Sequence, residues 1–194
     1  MNSTYIERRG GNNYTSYRLS RRKDAVIDYL KGYMRSDCDS ILDIGTNDGR
    51  MLSEIASQLN IKHPVGIDTM WEAVKLAQRV EGAKSRIFVG DTHNLPFKDN
   101  AFCVIVASAV IEHIRDTDSV FDESRRVLKD GGLFCITIPN PFYDRINSAL
   151  IKTYHVKRYT SGAIKKELVR HNFRILKSGY FMLYYNFQND MNRD

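Results

Sequence analysis

A chain of 194 residues can bury a sizeable core without cross-links and is too short for two domains of ordinary size, so one soluble domain is expected. No apolar run approaches the length of a membrane span, and Met1-Asn-Ser-Thr lacks the apolar stretch of a signal peptide, so a cytoplasmic protein is expected. The formal charge of +6 admits a nucleic-acid partner without requiring one; Cys38, Cys103 and Cys135 are odd in number and far apart, and read as buried thiols rather than a disulfide or a metal site.

In chain order, residues 1–21, rich in Asn, Arg, Tyr and Gly, read as a polar arm before a first helix over 22–35. A short apolar strand over 40–45 follows, then a glycine-bearing turn and a helix over 49–59. Strands over 64–68 and 86–90 flank a helix over 71–81, and a fourth strand is expected over 102–108. Val120, Phe121, Ser124, Val127 and Leu128 fall at helical spacing, so the segment 117–129 packs one face on the sheet, with Gly131 and Gly132 ending the helix. A fifth strand over 132–138, a helix over 160–171 and a strand over about 173–180 complete the set. The aromatic run from Tyr180 to Phe187 is the only material left for a seventh strand. Alternation of this kind predicts an α/β fold: a Rossmann-like, doubly wound, mostly parallel sheet of six to seven strands with helices on both faces. Residues 22–194 form its single domain.

The stretch Ile-Leu-Asp-Ile-Gly-Thr-Asn-Asp-Gly at 41–49 carries the most information, because it joins a buried strand to a tight turn and a helix. Such a turn brings backbone close to a nucleotide-like ligand. Arg50 stands where a dinucleotide-binding turn would need its third glycine, so a ligand without a pyrophosphate fits better. On its own the turn is an ordinary strand-to-helix corner, and any single aspartate at a strand end is an ordinary helix cap. Asp68 ends the next strand, 23 residues beyond Gly45, where a carboxylate can accept from both hydroxyls of a ribose. Asp91 ends the third. Three acids at this spacing make coincidence a poor account.

Asp43, Gly45 and Gly49 are similar to motif I of the class I S-adenosylmethionine-dependent methyltransferases, with Asn47 in place of the middle glycine. Asparagine tolerates a positive φ better than other ordinary residues, so the turn should survive. The run DTHNLPFKDNAFCVIVASAVIEHI and the later FDESRRVLKDGGLFCITIPN extend the likeness, which is closest to the type 11 group of small-molecule methyltransferases and spans roughly 25–180. Cys103 and His93 depart from the group's pattern, each standing where an acid is common.

The resemblance implies S-adenosyl-L-methionine as cofactor, held by Asp43, Gly45, Thr46, Asn47, Gly49, Asp68, Thr69, Met70, Asp91, Thr92 and Ser108. Met70 reads equally as adenine packing or core filler. No metal is expected. For acceptor activation the candidates are His113, His155 and His93; His113 follows Glu112 just past strand four and could act as a base, or the pair could merely shape the helix start. A substrate-covering insert over about 139–160 offers Tyr143, Arg145, Tyr154, His155 and Arg158, suited to an anionic or sugar-like acceptor, though a solvated basic loop has the same composition. Arg18, Arg21, Arg22 and Lys23 could face the same opening or form an exposed helix start. The function expected is methyl transfer to an O or N atom of a small acceptor. An RNA methyltransferase is the runner-up, argued against by the absence of an Asn/Asp-Pro-Pro-aromatic signature after strand four. A non-catalytic donor-binding accessory subunit is the third reading, favoured by Asn47.

Overall fold

The computed structural model describes residues 13–79, 85–141 and 155–179. Its elements are α1 (Asn13–Tyr33), β1 (Ser40–Ile44), α2 (Arg50–Gln58), β2 (His63–Asp68), α3 (Trp71–Ala77), β3 (Arg86–Val89), β4 (Phe102–Ser108), a 3-10 turn (Ile111–His113), α4 (Thr117–Val127), β5 (Leu128–Thr137) and α5 (Ser161–Arg170). The strands form one parallel sheet in the order β3-β2-β1-β4-β5, so the chain steps outward from β1 to β3 and then crosses back to β4. That reversal makes the carboxyl ends of β1 and β4 the switch point where such sheets bind ligands.

Alternation along β1 divides the core. Leu42 and Ile44 point into one apolar layer with Ile105, Ala107, Val120 and Phe121, whereas Ile41 points into the other with Val26, Leu30, Leu52, Ile55, Val104 and Val106. Because side chains alternate, Asp43 lies on the second face, at the edge of a fully apolar layer. The predicted stripe on α4 is buried as expected, Val120, Phe121, Ser124 and Val127 all being inaccessible.

Several expectations change. The first helix begins at Asn13, so residues 13–21, read as arm, are its opening turns. Lys23 pairs with Glu54 of α2 and Arg22 is buried, so these two cations serve the α1 packing rather than an exposed helix start. α4 stops at Val127, and the Gly131–Gly132 pair lies inside β5. The register passes from Phe102↔Leu128 to Val104↔Leu133, so Lys129 to Gly132 bulge outward, and Gly131 adopts φ 73° to make the bend. Five strands, not six or seven, are present among the described residues. The segment 173–179, expected as a strand, is irregular, and the seventh-strand run from Tyr180 lies outside the described residues.

Cys38 and Cys103, expected as free thiols, form a disulfide, while Cys135 stays free. The reason is strand order: Ile41 pairs with Val104 across β1 and β4, which brings Cys38, two residues before β1, beside the start of β4 although 65 residues separate the two cysteines. Burial pushes the Cys135 thiol up to about 12, so it is inert as a nucleophile at neutral pH.

Gly49 caps α2 with φ 71°, and a Cβ there would sit 2.3 Å from Ile87 Cδ1. Gly49→Ala is therefore expected to cost about 1–3 kcal/mol in urea denaturation through overpacking and backbone strain. Asn47→Gly, at a position with φ 53°, should leave stability within about 0.5 kcal/mol.

Candidate active site

The turn after β1 is built from three consecutive N–H donors reaching over to β2. Gly45 N and Thr46 N both donate to Ile67 O, at 2.8 and 3.1 Å, and Asn47 N donates to Asp68 Oδ2 at 2.8 Å. The other oxygen, Asp68 Oδ1, accepts from Met70 N at 2.9 Å. One carboxylate thus ties the two strand-to-helix corners together. Gly45 has φ 69°, and a Cβ on it would lie 2.4 Å from Val110 Cγ2. Asn47 takes the positive φ expected of it.

Asp43 pairs in register with Gly66, and Asp68 lies two residues beyond Gly66, so both carboxylates leave the same face of the sheet. Gly66 supplies the space between them, since a Cβ there would collide with the Thr46 side chain at 2.7–2.9 Å. Asp43 is only 3% exposed. Burial pushes its carboxyl up to about 7; the Thr46 hydroxyl pulls the other way, and the neighbouring Asp68 charge adds to the rise.

Along the same rim, Val89 pairs with Asp68, and Gly90 N donates to Asp68 O, so Asp91 emerges beside the β2 end. Asp91 is largely exposed and accepts from His93 N at 2.9 Å and lies 2.6 Å from His93 Nδ1. Those His93 contacts hold Asp91 below the ordinary carboxylate range. His93, one of the three acceptor-activating candidates, is thus engaged on the Asp91 side. Thr92 is buried, Thr69 is exposed and Met70 is half-buried at the start of α3. Ser108 Oγ meets Thr137 Oγ1 at 3.0 Å, joining the ends of β4 and β5.

The second half of the site lies past β4. Ala109 sits in the left-handed region at φ 56°, its N–H donating to Thr137 O. For a residue with a Cβ this is an uncommon conformation of the kind that collects at functional sites. The bend turns the chain into the 3-10 turn, where Glu112 is buried and His113 exposed. Glu112 O accepts from Val156 N and Lys157 N, at 2.9 and 3.1 Å, which draws in the segment before α5. His155 then lies against His113 with ring centroids 4.8 Å apart. Thr117 Oγ1 meets Tyr159 Oη at 3.0 Å and Lys157 Nζ at 3.2 Å, fixing the same segment a second time. Arg158 and His155 line a recess with Ile138, Pro139, Pro141 and Tyr159. Tyr143, Arg145 and Tyr154 lie outside the described residues.

Residue-level reading missed Ala109, Thr137 and Trp71. Trp71 is 58% exposed at the first turn of α3 beside Met70; as the sole tryptophan of the chain it was the one of these with a sequence signal. Among the described residues no helix is long and apolar enough to cross a membrane.

A doubly wound parallel sheet with paired acids and a tight turn at its switch point defines a class of proteins that bind an adenosyl-type ligand at the carboxyl ends of the strands. Residues 42–136 match the family model described as a methyltransferase domain, and this region belongs to that family, the class I methyltransferases that use S-adenosylmethionine. It is 36% identical over 120 residues to an uncharacterized protein of Methanocaldococcus jannaschii, covering 62% of this chain and 52% of that one. It is 30% identical over 146 residues to a demethylmenaquinone methyltransferase of Thermotoga maritima, covering 65% and 62%. The chain thus spans roughly half to three-fifths of the length of these two relatives. Its fold matches that of a SAM-dependent methyltransferase of Thermotoga maritima with a TM-score of 0.67 at 20% identity, covering 88% of this chain and 81% of the other.

The raised Asp43 carboxyl gives a signed pH prediction. Between the unfolded value of 3.8 and the folded value of about 7, the folded state retains a proton that the unfolded state has released. This contribution therefore makes stability fall as pH rises through that window and levels it above. Denaturation at about pH 5 and about pH 8 should show Asp43→Asn losing less stability than the parent protein over that step.

Proposed function

We propose that this protein transfers the methyl group of S-adenosylmethionine to an oxygen or nitrogen of a small, anionic or sugar-like acceptor in the cytosol. The observation that carries the reading is the convergence of Asp43 and Asp68 on one face of the sheet beneath the Gly45–Gly49 turn. In this assignment the turn backbone, with Thr46 and Asn47, lies along the methionine part of the donor and Asp43 faces its amino group. Asp68 takes the ribose hydroxyls, Thr69 and Met70 the adenine face, and Asp91 with Thr92 the adenine edge. Ser108 stands at the methyl. Each Asp68 oxygen already accepts one backbone N–H, and a carboxylate has about four acceptor positions, so two remain for a vicinal diol.

A sulfonium carries its own leaving group, so the protein's task is to align donor and acceptor, exclude water and remove a proton where the acceptor has one. His113 and His155 are assigned to that last task, because both stand past the end of β4, where the methyl is delivered. Arg158 supplies a cation for an anionic acceptor, and Tyr143, Arg145 and Tyr154 are proposed from the sequence to complete the cover within the segment 139–160. The likeness to a methyltransferase named for demethylmenaquinone supports a non-polymeric acceptor over RNA.

Calorimetry with the demethylated donor should give one site per chain, and Asp68→Ala should weaken it at least about tenfold while the folded circular-dichroism spectrum persists. Unchanged affinity would mean that Asp68 does not hold the ribose. With an acceptor in hand, His113→Ala is expected to lower kcat by about 100-fold with a smaller effect on acceptor KM. Equal kcat values would return His113 to a structural part.

A further inference from the structure

The corner past β4 gathers two imidazoles and a carboxylate from segments about forty residues apart. One ligand-capable atom from each of Glu112, His113 and His155 lies within 4.8 Å of the others. The grouping is fastened from both sides: the Glu112 carbonyl receives the N–H groups of Val156 and Lys157, and Thr117 holds Tyr159 and the Lys157 ammonium. His155 is therefore brought to His113 by backbone hydrogen bonds. A second cluster, Asp118, Glu167 and His171, also converges. There Arg170 bridges Asp118 and Glu167, and His171 Nδ1 is 2.6 Å from Asp122. The first cluster borders a recess, which Glu112 and His155 line.

We propose that Glu112, His113 and His155 bind one divalent transition-metal ion, with an open coordination position facing the recess walled by Ile138, Pro139 and Tyr159. This departs from the sequence expectation of no metal. Two imidazoles and one carboxylate suit zinc and its first-row neighbours rather than magnesium or calcium, and three protein ligands leave room for an exogenous oxygen. Ligand atoms around tetrahedral zinc stand about 3.3 Å apart, so side-chain rotations closing about 1.5 Å complete the site. The exogenous ligand would be a hydroxyl or phenol of the acceptor. Bound to the ion, it loses its proton to water; the resulting oxyanion attacks the donor methyl carbon, and the carbon–sulfur bond breaks with its electron pair staying on sulfur. The products are a methyl ether and a neutral thioether. In the metal-free protein, an imidazole takes the acceptor proton instead. This role rests on the methyltransferase reading; the metal site does not.

The test is zinc binding to the full chain after chelator stripping, read by calorimetry with zinc chloride and by metal content after desalting, with no donor present. One zinc per chain is expected, weakened at least about tenfold by His113→Ala and by His155→Ala, each with an unchanged melting curve. His63→Ala and Asp118→Asn should bind like the parent protein. Zinc lost in Asp118→Asn but kept in His155→Ala would place the ion between α4 and α5 and overturn the proposal, as would no binding at all. Calorimetry of the demethylated donor on the same stripped protein separates the two readings: donor bound without zinc removes only the metal site, and zinc bound without donor removes only the methyl-transfer role. If neither His variant folds, Glu112→Gln is measured in their place, and parent-like zinc affinity in it overturns the assignment.

Discussion

The Asp68 carboxylate is the constraint on which the rim at the carboxyl ends of β1 and β2, the proposed donor side, depends. Its two oxygens receive N–H groups from Asn47 and Met70, one from each strand-to-helix corner. Charge-assisted bonds of this kind are stronger than neutral ones, and here they substitute for a hydrogen-bond ladder that has run out at the strand ends. The turn after β1 can then stay open, with Gly45 against Val110 and Gly49 against Ile87, because its outer edge is anchored by a side chain rather than by packing.

A local conflict follows from the same arrangement. Asp43 sits on the face occupied by Val104 and Val106, with Asp68 as its charged neighbour. An acid in this position costs stability unless it is protonated or meets a cation, and no packing argument calls for one. Places where local rules are broken without a structural gain are the places to look for function. Asp43 is such a place, and so is Ala109, whose left-handed backbone is unnecessary for ending a strand but turns Glu112 and His113 toward the segment carrying His155.

The two halves of the site are held by different kinds of bond. The side proposed for the donor is made within the contiguous stretch from β1 to β3, through backbone donors and one carboxylate. On the side proposed for the acceptor the bonds are long-range, with the Glu112 carbonyl and the Thr117 hydroxyl reaching Val156, Lys157 and Tyr159. In the proposed assignment, variation in the segment before α5 would alter the acceptor without disturbing the donor side, as expected where one fold serves many functions.

The chain order of strands and helices, the buried stripe of α4, the Gly45–Gly49 turn and the three strand-end acids were all legible in the sequence, because each is written in a local period or in the backbone freedom of a few residues. The helix start at Asn13 was not, since a polar run carries no apolar period, and the Gly131–Gly132 bulge was misread because glycines mark a helix end and a strand bend alike. Strand order was beyond local reading altogether. It sets β1 beside β4, and from that single adjacency come the Cys38–Cys103 bond and the switch-point position of the cleft. The meeting of His113 with His155 belongs to the same category: spacing along a chain fixes which way neighbouring side chains point, but only the folding of distant segments onto one another decides which of them touch.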